Sequence, residues 1–369
     1  MTIRFVRVDL KRQVDESYDV IVGEDLFPMI ASDLIGNRDK VALITDSNVW
    51  PLHGKKLLEV LVDSGLQADK FVLEAGEENK TRQNWEAVID EMIDKRYGRD
   101  TTIVALGGGM VGDMAGWIGG VLNRGVPVIQ VPTTLLAQAD SAVGGKAGYN
   151  TRHGKNLIGV FKQPIRVYSD VSTLGTLSPR EFRQGLAETV KHGVIADSSF
   201  FQYLEGSTSQ ILDRSPEHIA FLSMENARIK AEVVMKDPHE KGLRKILNYG
   251  HTPGHAIEKA SGFNLMHGEA VSIGMMIEGR LSWYLGEGFS QESLIRQEKL
   301  LERFGLPTKV PNNITDDQIL GFAEVDKKNV GGKTRYALPF VIGIMYSFNG
   351  QYTTPVDEKI VRQVLTESR

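Results

Sequence analysis

Three of the eight histidines, His251, His255 and His267, fall within 17 residues of one another. His251 and His255 are four apart, which places them on one face of a helix. At about 100° per residue that face extends backward through Asn248, Arg244 and Glu240, all within a sector of roughly 80°. Pro253 lies inside the stretch and predicts that a helix starts or kinks near His251. Neutral imidazole with a carboxylate suits zinc, and catalytic zinc keeps three protein ligands and an open position. Spacing nominates His251 and His255 as the ligand pair, with the carboxylate supplied from elsewhere. Glu188 is the best candidate, with Lys191 and His192 one turn on. A solvated face with incidental histidines has the same spacing, and an ordinary exposed helix glutamate reads like Glu188. His53, His153, His218 and His239 lack convergent partners in sequence, and His192 reads either way.

A second chemistry is phosphate binding. Gly107-Gly108-Gly109-Met110-Val111-Gly112 fits G-x-G-x-x-G, directly after the apolar run Thr102–Leu106 and before a helix-like run. Such a turn lets the backbone approach an anion and offers it free amides at a helix start. The usual acid some 20 residues downstream is missing, and Asp46 and Asn48, ending an earlier strand, could take a ribose instead. A tight strand–helix turn packed through Ala115, Gly116 and Gly119 explains the same residues without a ligand. No G-x-x-x-x-G-K-[ST] occurs, which argues against a P-loop NTPase. Lysines form a third theme: Lys146 after Gly144-Gly145, Lys155 after Gly154, then Lys191, Lys230 and Arg244. Each alone reads as surface. Converging, they would hold a multiply charged anion, at about 1.5–3 kcal/mol per charge-assisted bond.

The elements that must position these groups follow from composition and patterning. The chain has 369 residues, which suggests two domains or three. Hydrophobic residues at 41% and charged residues at 24% exclude disordered, collagenous and coiled-coil chains. A net charge of −4 leaves no electrostatic footprint for nucleic acid. No apolar run approaches the ~18–20 residues of a membrane span, and the charged N-terminus argues against a signal peptide, so a cytoplasmic enzyme is expected. Cysteine is absent, which removes disulfides, thiolate metal sites and a cysteine nucleophile. Of 38 glycines, 13 fall between Gly107 and Gly159, more than twice their proportional share, which implies close backbone approach there.

The first half alternates strand-like runs (Asp19–Val22, Val41–Thr45, Lys70–Leu73, Thr102–Leu106, Val126–Val131) with helical stretches (Trp50–Ser64, Arg82–Arg96), the pattern of a mostly parallel sheet. Near Leu177 the texture changes. Ser178-Pro179-Arg180-Glu181 is a capping box with proline at the first helical position. Helical patterns then cover about 179–195, 216–236, 251–261, 267–286, 291–304, 316–324 and 357–367, with one β-like run at Thr334–Tyr346. Trp117, Trp283, Met275 and Met276 read as core. The expected architecture is a Rossmann-like α/β domain (1–177) followed by a mainly α-helical domain (178–369), with the site in the cleft between them.

Taken in order, these segments resemble the 3-dehydroquinate synthase family, within the sugar phosphate cyclases. The matching runs are Gly107 to Asp113, Gln130-Val131-Pro132-Thr133-Thr134 through Asp140-Ser141, Gly144-Gly145-Lys146, Gly154-Lys155-Asn156, Gly185-Leu186-Ala187-Glu188, Gly242-Leu243-Arg244, Asn248-Tyr249-Gly250-His251-Thr252-Pro253-Gly254-His255, His267-Gly268-Glu269-Ala270 and Asp326-Lys327-Lys328. The departures are Ala147-Gly148-Tyr149 for the usual Thr-Ala-Val, with Gly148 expected to loosen the segment behind Lys146, and Pro253 for a common Phe.

The resemblance implies metal ligands Glu188, His251 and His267, which revises the spacing pair and moves His255 to the substrate side. It implies NAD contacts at Asp46 and Asn48, at Ala75, Gly76, Glu77, Glu78, Asn79 and Lys80, and at Gly109, Met110, Val111, Gly112 and Asp113. Thr133, Thr134, Asp140, Lys146, Lys155, Thr173, Leu174, Gly175 and Thr176 complete that set. It implies substrate and catalytic residues Arg124 (reaching across a dimer interface), Asp140, Lys146, Asn156, Lys191, Lys230, Glu240, Arg244, Asn248 and His255, with Lys328 or Lys327. The implied cofactors are NAD and Zn2+ or Co2+, and the implied assembly is a homodimer. The implied reaction converts 3-deoxy-D-arabino-heptulosonate 7-phosphate to 3-dehydroquinate and phosphate, in the shikimate route to aromatic amino acids. Its course is transient oxidation by NAD, β-elimination of phosphate, re-reduction and aldol closure. Inosose- or valiolone-type cyclases, a metal-dependent polyol dehydrogenase and a non-enzymatic nucleotide-binding protein are the alternatives. Retention of Asn248 and of His255 favours dehydroquinate over the other rings.

Overall fold

The computed structural model describes residues 14–36, 40–286, 288–324 and 333–369. The strands of the first half are β1 (Asp19–Gly23), β2 (Lys40–Asp46), β3 (Gln67–Leu73), β4 (Thr101–Gly107), β5 (Val128–Pro132), an antiparallel hairpin of β6 (Lys146–Thr151) and β7 (Gly154–Phe161), and β8 (Arg166–Asp170). All but the hairpin join one parallel sheet in the order β1-β8-β5-β4-β2-β3. Every residue of β4 is buried, as its apolar run predicts for a strand covered on both faces.

Helices α1 (Phe27–Leu34) and α2 (Lys55–Asp63) cover one face. There Ile30, Leu34, Leu57 and Leu61 pack on Val41, Leu43, Val104 and Leu106. Helices α3 (Arg82–Asp94) and α4 (Gly109–Val121) cover the other, where Val88, Met92, Met114 and Ile118 pack on Ala42, Ile44, Ile103 and Ala105. The alternation of β2 and β4 side chains between two cores is the strand period of two, and each buried aliphatic side chain contributes about 1.5–3 kcal/mol. The chain runs outward from β2 to the edge strand β3, then returns to β4 on the opposite side of β2. That reversal opens a crevice at the carboxyl ends of β2 and β4, where open α/β sheets hold ligands.

From residue 179 the chain is mainly helical: α5 (Pro179–Ala196), α6 (Ser198–Gly206), α7 (Thr208–Leu212), α8 (Pro216–Lys236), α9 (His251–Ala260), α10 (His267–Tyr284), α11 (Gln291–Arg303), α12 (Asp316–Glu324) and α13 (Glu358–Glu367). The capping box before α5 forms: Ser178 Oγ accepts from the Glu181 amide (3.3 Å), and the Ser178 amide donates to Glu181 Oε2 (2.9 Å). Helices α9 and α10 cross at glycine. Gly250 takes φ +79° at the start of α9, and a Cβ there would lie 2.6 Å from Met275 Cγ. A Cβ on Gly274 would overlap the Gly250 carbonyl oxygen.

Several expectations change. Neither β8 nor the hairpin is among the strands expected from sequence; in the hairpin Gly148 pairs with Gly159 and the polar, glycine-rich run between them hides a two-residue period. Gly148 therefore lies within β6. The β-like run Thr334–Tyr346 divides into β9 (Arg335–Tyr336), β10 (Pro339–Val341) and β11 (Ile344–Met345), while β9 pairs with the later β12 (Thr354–Pro355). Gly343 at φ +95° turns the chain between β10 and β11. Trp283 is 40% exposed and lies outside the core, whereas Met275 and Met276 are fully buried. Among the described residues no helix is long and apolar enough to cross a membrane.

Candidate active site

Glu188 on α5, His251 at the start of α9 and His267 at the start of α10 converge, with one ligand atom from each lying within 4.8 Å of the others. Glu188 is wholly buried. His267 Nε2 is 3.3 Å and His251 Nε2 3.5 Å from Glu188 Oε1, and the Lys191 ammonium pairs with Oε2. His251 Nδ1 faces the Tyr249 carbonyl at 3.1 Å. Burial alone would raise the Glu188 carboxyl, yet Lys191, His251 and His267 hold it well below the usual range. Burial likewise opposes charge on His267, but Glu188 and Glu258 push its imidazole up to about 9. One carboxylate and two imidazoles whose donor atoms converge within 4.8 Å of one another fit a zinc or cobalt ion with an open position.

The spacing expectation is corrected here. Residues 240 to 255 do not form one helix: Glu240 has φ +57°, Leu243–Asn248 is a short 3-10 turn, and α9 begins only after the left-handed Gly250. His255 lies one turn along α9, its ring 5.3 Å from that of His251 and 5.7 Å from that of His267. It belongs to a second group, with Glu258 and His267. The close crossing at Gly250 and Gly274 is what brings the amino end of α10, and so His267, to Glu188.

A network of cations adjoins this centre. Lys230 on α8 pairs with Asp140. Burial lowers the Lys230 ammonium, against the opposing pull of Asp140. Burial also opposes the charge on Asp140, but Lys230 and Lys191 hold its carboxyl below the normal value. Lys146, leading β6, pairs with Glu240, whose other oxygen accepts from Asn248 Nδ2 at 2.8 Å. The buried Arg244 guanidinium donates to the carbonyls of Pro238 (2.7 Å) and Gly144 (3.1 Å).

At the sheet, α4 starts at Gly109 with Gly108 as its cap and no side chain over its amides. Its first internal bond runs from the Gly112 amide to the Gly108 carbonyl, so the amides of Gly109, Met110 and Val111 precede the helical ladder. Asp46 closes β2 beside it and accepts from the amides of Asn48 and Val49, both at 2.9 Å. Lys80 is 2.5 Å from Asp113, which ties the 75–80 segment to α4. Cap-free amides at the sheet's reversal point suit a dinucleotide.

The profile for the 3-dehydroquinate synthase N-terminal region matches residues 70–184, and that for the C-terminal region matches residues 185–329. The 3-dehydroquinate synthase of Nostoc punctiforme is 40% identical over 356 residues, 95% of this chain and 96% of that protein. The chain belongs to the 3-dehydroquinate synthase family. Two solved relatives share its fold. One is a 2-deoxy-scyllo-inosose synthase complexed with carbaglucose-6-phosphate, NAD+ and Co2+, at TM-score 0.87 and 26% identity, covering 95% of this chain and 97% of the other. The second is the 2-epi-5-epi-valiolone synthase of Streptomyces hygroscopicus with NAD+ and Zn2+, at TM-score 0.87 and 26% identity, covering 98% of both chains.

Not every residue implied by resemblance to the dehydroquinate synthases joins the cluster. Arg124 sits in the exposed turn beyond α4, about 20 Å along that helix from Gly109. Asn156 is exposed at φ +52° on β7, and Lys327 and Lys328 lie outside the described residues. Thr133 is buried and its amide donates to Gly107 O at 3.0 Å. Thr134 Oγ1 accepts from the Ala137 amide at 3.1 Å. Thr173 to Thr176 form a turn whose Thr176 Oγ1 is 2.9 Å from His53 Nε2, a partner the sequence did not suggest. Two further residues escaped the sequence. Asn150 Nδ2 donates to the Glu77 carbonyl (3.1 Å) and to Glu77 Oε1 (2.9 Å), its amide donates to Lys80 O (2.8 Å), and its Oδ1 accepts from the Asn156 amide (3.0 Å). Glu258, 7% exposed, is 2.7 Å from Lys155 Nζ and 3.8 Å from His267 Nδ1. Its position seven after His251 puts it on the His251 face of α9, the one available signal.

Proposed function

We propose that this member of the family converts 3-deoxy-D-arabino-heptulosonate 7-phosphate to 3-dehydroquinate and inorganic phosphate, with NAD and a divalent metal as cofactors. The observation that carries the reading is the meeting of Glu188, His251 and His267 beside a cationic network built from Lys146, Lys191, Lys230 and Arg244. Glu188, His251 and His267 would hold the metal, which when bound supplies Lewis acidity to vicinal substrate hydroxyls. Asp46, the 75–80 segment and the amides of Gly109 to Val111 would hold NAD, which when bound supplies a reversible hydride acceptor.

The remaining roles fall to the chain's own side chains. Lys146 and Arg244 meet the phosphate and carboxylate, and Glu240 holds Lys146 and Asn248 in register until the anion arrives. Asp140 keeps Lys230 charged in its buried position. His255 and Asn248, with Lys191 and Lys230, move protons and hold anionic oxygens as phosphate leaves and the ring closes. Residues 1–177 act as the nucleotide-binding unit and 178–369 as the metal- and substrate-binding unit. The location of every strand of the six-stranded parallel sheet between Asp19 and Asp170 supports that division. Arg124, distant from the cluster in its own chain, fits a contribution to a second copy's site in a homodimer.

The test is to incubate purified protein with NAD+, Zn2+ or Co2+ and the heptulosonate phosphate. Phosphate and dehydroquinate should appear in equal amounts with no net NADH. Accumulating NADH would indicate a polyol dehydrogenase. Turnover only of hexose or heptulose phosphates without a carboxylate would indicate an inosose- or valiolone-type cyclase. Absence of both phosphate release and NADH formation with every substrate would overturn the enzymatic reading.

A further inference from the structure

His251 and His267 are held alike. Each turns Nε2 toward Glu188 Oε1, at 3.5 and 3.3 Å. Each turns Nδ1 toward an oxygen: the Tyr249 carbonyl at a hydrogen-bond distance of 3.1 Å for His251, and Glu258 Oε2 in an ion-pair contact at 3.8 Å for His267. An accepting carbonyl, or a carboxylate charge beside Nδ1, favours the proton there and leaves the Nε2 lone pair for a cation, which sets tautomer and ring orientation. For His251 the acceptor is backbone and comes with the fold. For His267 it is a side chain, and it can be changed.

Glu258 is 7% exposed, and a carboxylate this buried needs a countercharge. Lys155 Nζ provides it at 2.7 Å from Oε1. Lys155 comes from the β6–β7 hairpin, and its ammonium sits over the Phe263 ring at 4.6 Å from the centroid. The same carboxylate could join His255 and His267 around a second cation. That arrangement would require His267 to give both nitrogens to metal and Glu258 to exchange Lys155 for the ion, so orientation is the role the contacts favour.

We propose that Glu258 is a positioning residue for His267, and that Lys155 holds Glu258 in place, so the hairpin of the sheet half sets the geometry of a metal ligand in the helical half. The proposal rests on the reading of Glu188, His251 and His267 as the metal ligands.

The test uses the full chain loaded with Co2+, whose visible absorption reports ligand geometry and whose affinity is read by competition with a chelator. Glu258→Gln should bind Co2+ about 10–100-fold more weakly with an altered spectrum. Glu258→Asp, which keeps the charge on a shorter arm, should fall between Gln and the parent. Lys155→Met should weaken binding by about 2–5-fold and add little on top of Glu258→Gln, because it acts through that residue. His267→Ala separates the two claims. If His267→Ala loses Co2+ while Glu258→Gln keeps the parent affinity and spectrum, the positioning role is wrong and the ligand set stands. If His267→Ala binds like the parent, the ligand set itself is wrong. Should Glu258→Gln fail to fold, Lys155→Met on the exposed hairpin decides, and parent-like affinity and spectrum in that variant overturn the proposal.

Discussion

His192, one turn beyond Glu188, is fully buried. Its Nδ1 is 2.8 Å from Asn226 Oδ1, and Asn226 Nδ2 donates to Thr189 Oγ1 at 2.9 Å. With the Asn226 amide thus engaged, His192 Nδ1 must be the donor, and the neutral ring has no further proton to place. Burial first, then the neighbouring Lys191, push its imidazole down to about 4. Below about pH 6.5 the unfolded chain takes up a proton that the folded chain refuses. The contribution of His192 is therefore complete above pH 6.5 and is lost progressively toward pH 4, by roughly 3 kcal/mol in all. Urea midpoints between pH 7 and 4.5 should fall steeply for the parent, and His192→Asn should flatten that slope. Glu188→Gln should remove turnover and, without metal, destabilise the fold by about 3–5 kcal/mol, because the Lys191 ammonium loses its nearest countercharge. Denaturant titration of the metal-free protein measures this. Chelation should abolish activity and added Zn2+ or Co2+ restore it, and activity surviving chelation would remove the metal from the chemistry.

At the level of elements, the positioning devices are turns and crossings. Ala at Gly250 would face both the positive φ and the Met275 contact, and should cost about 1–3 kcal/mol, seen as a lower melting temperature together with weaker metal binding. Asn150→Ala removes three side-chain hydrogen bonds between the 77–80 segment and Asn156, each contributing about 1 kcal/mol. It should lower the melting temperature by a few degrees and raise the NAD dissociation constant and the substrate KM about tenfold. The sequence yielded those elements whose period or caps were strong: β4, the capped α5, and the long helices to α13. It missed the β6–β7 hairpin, where Gly148 faces Gly159 and little hydrophobic alternation survives. It also placed Glu240 through His255 on one helix, since periodicity cannot register a left-handed residue such as Gly250 between two helical segments. The pairing of His267 with Glu188 was legible only through family resemblance, because the contact that brings them together is a packing of α9 on α10, not a spacing.

On the scale of the whole molecule, the two halves meet through ion pairs between the hairpin and the segments around α9: Lys146 with Glu240 and Lys155 with Glu258. Composition could announce an α/β half and a helical half, but not that this hairpin would pair with α9 while Asp140 pairs with Lys230 of α8. The other face of that hairpin bears an aromatic cluster. Tyr149 of β6 packs against Trp117 of α4 and Trp85 of α3, with ring centroids 5.1 and 5.7 Å away, and the indoles are 5.8 Å from each other. Helix α4 begins at the glycine turn, and the 75–80 segment leads into α3. Indole emission overlaps the absorption of a reduced nicotinamide but not of an oxidised one. The protein is therefore wired as its own optical clock: mixed rapidly with substrate, its fluorescence should dim and recover within a single turnover, and Trp117→Phe should mute the flicker.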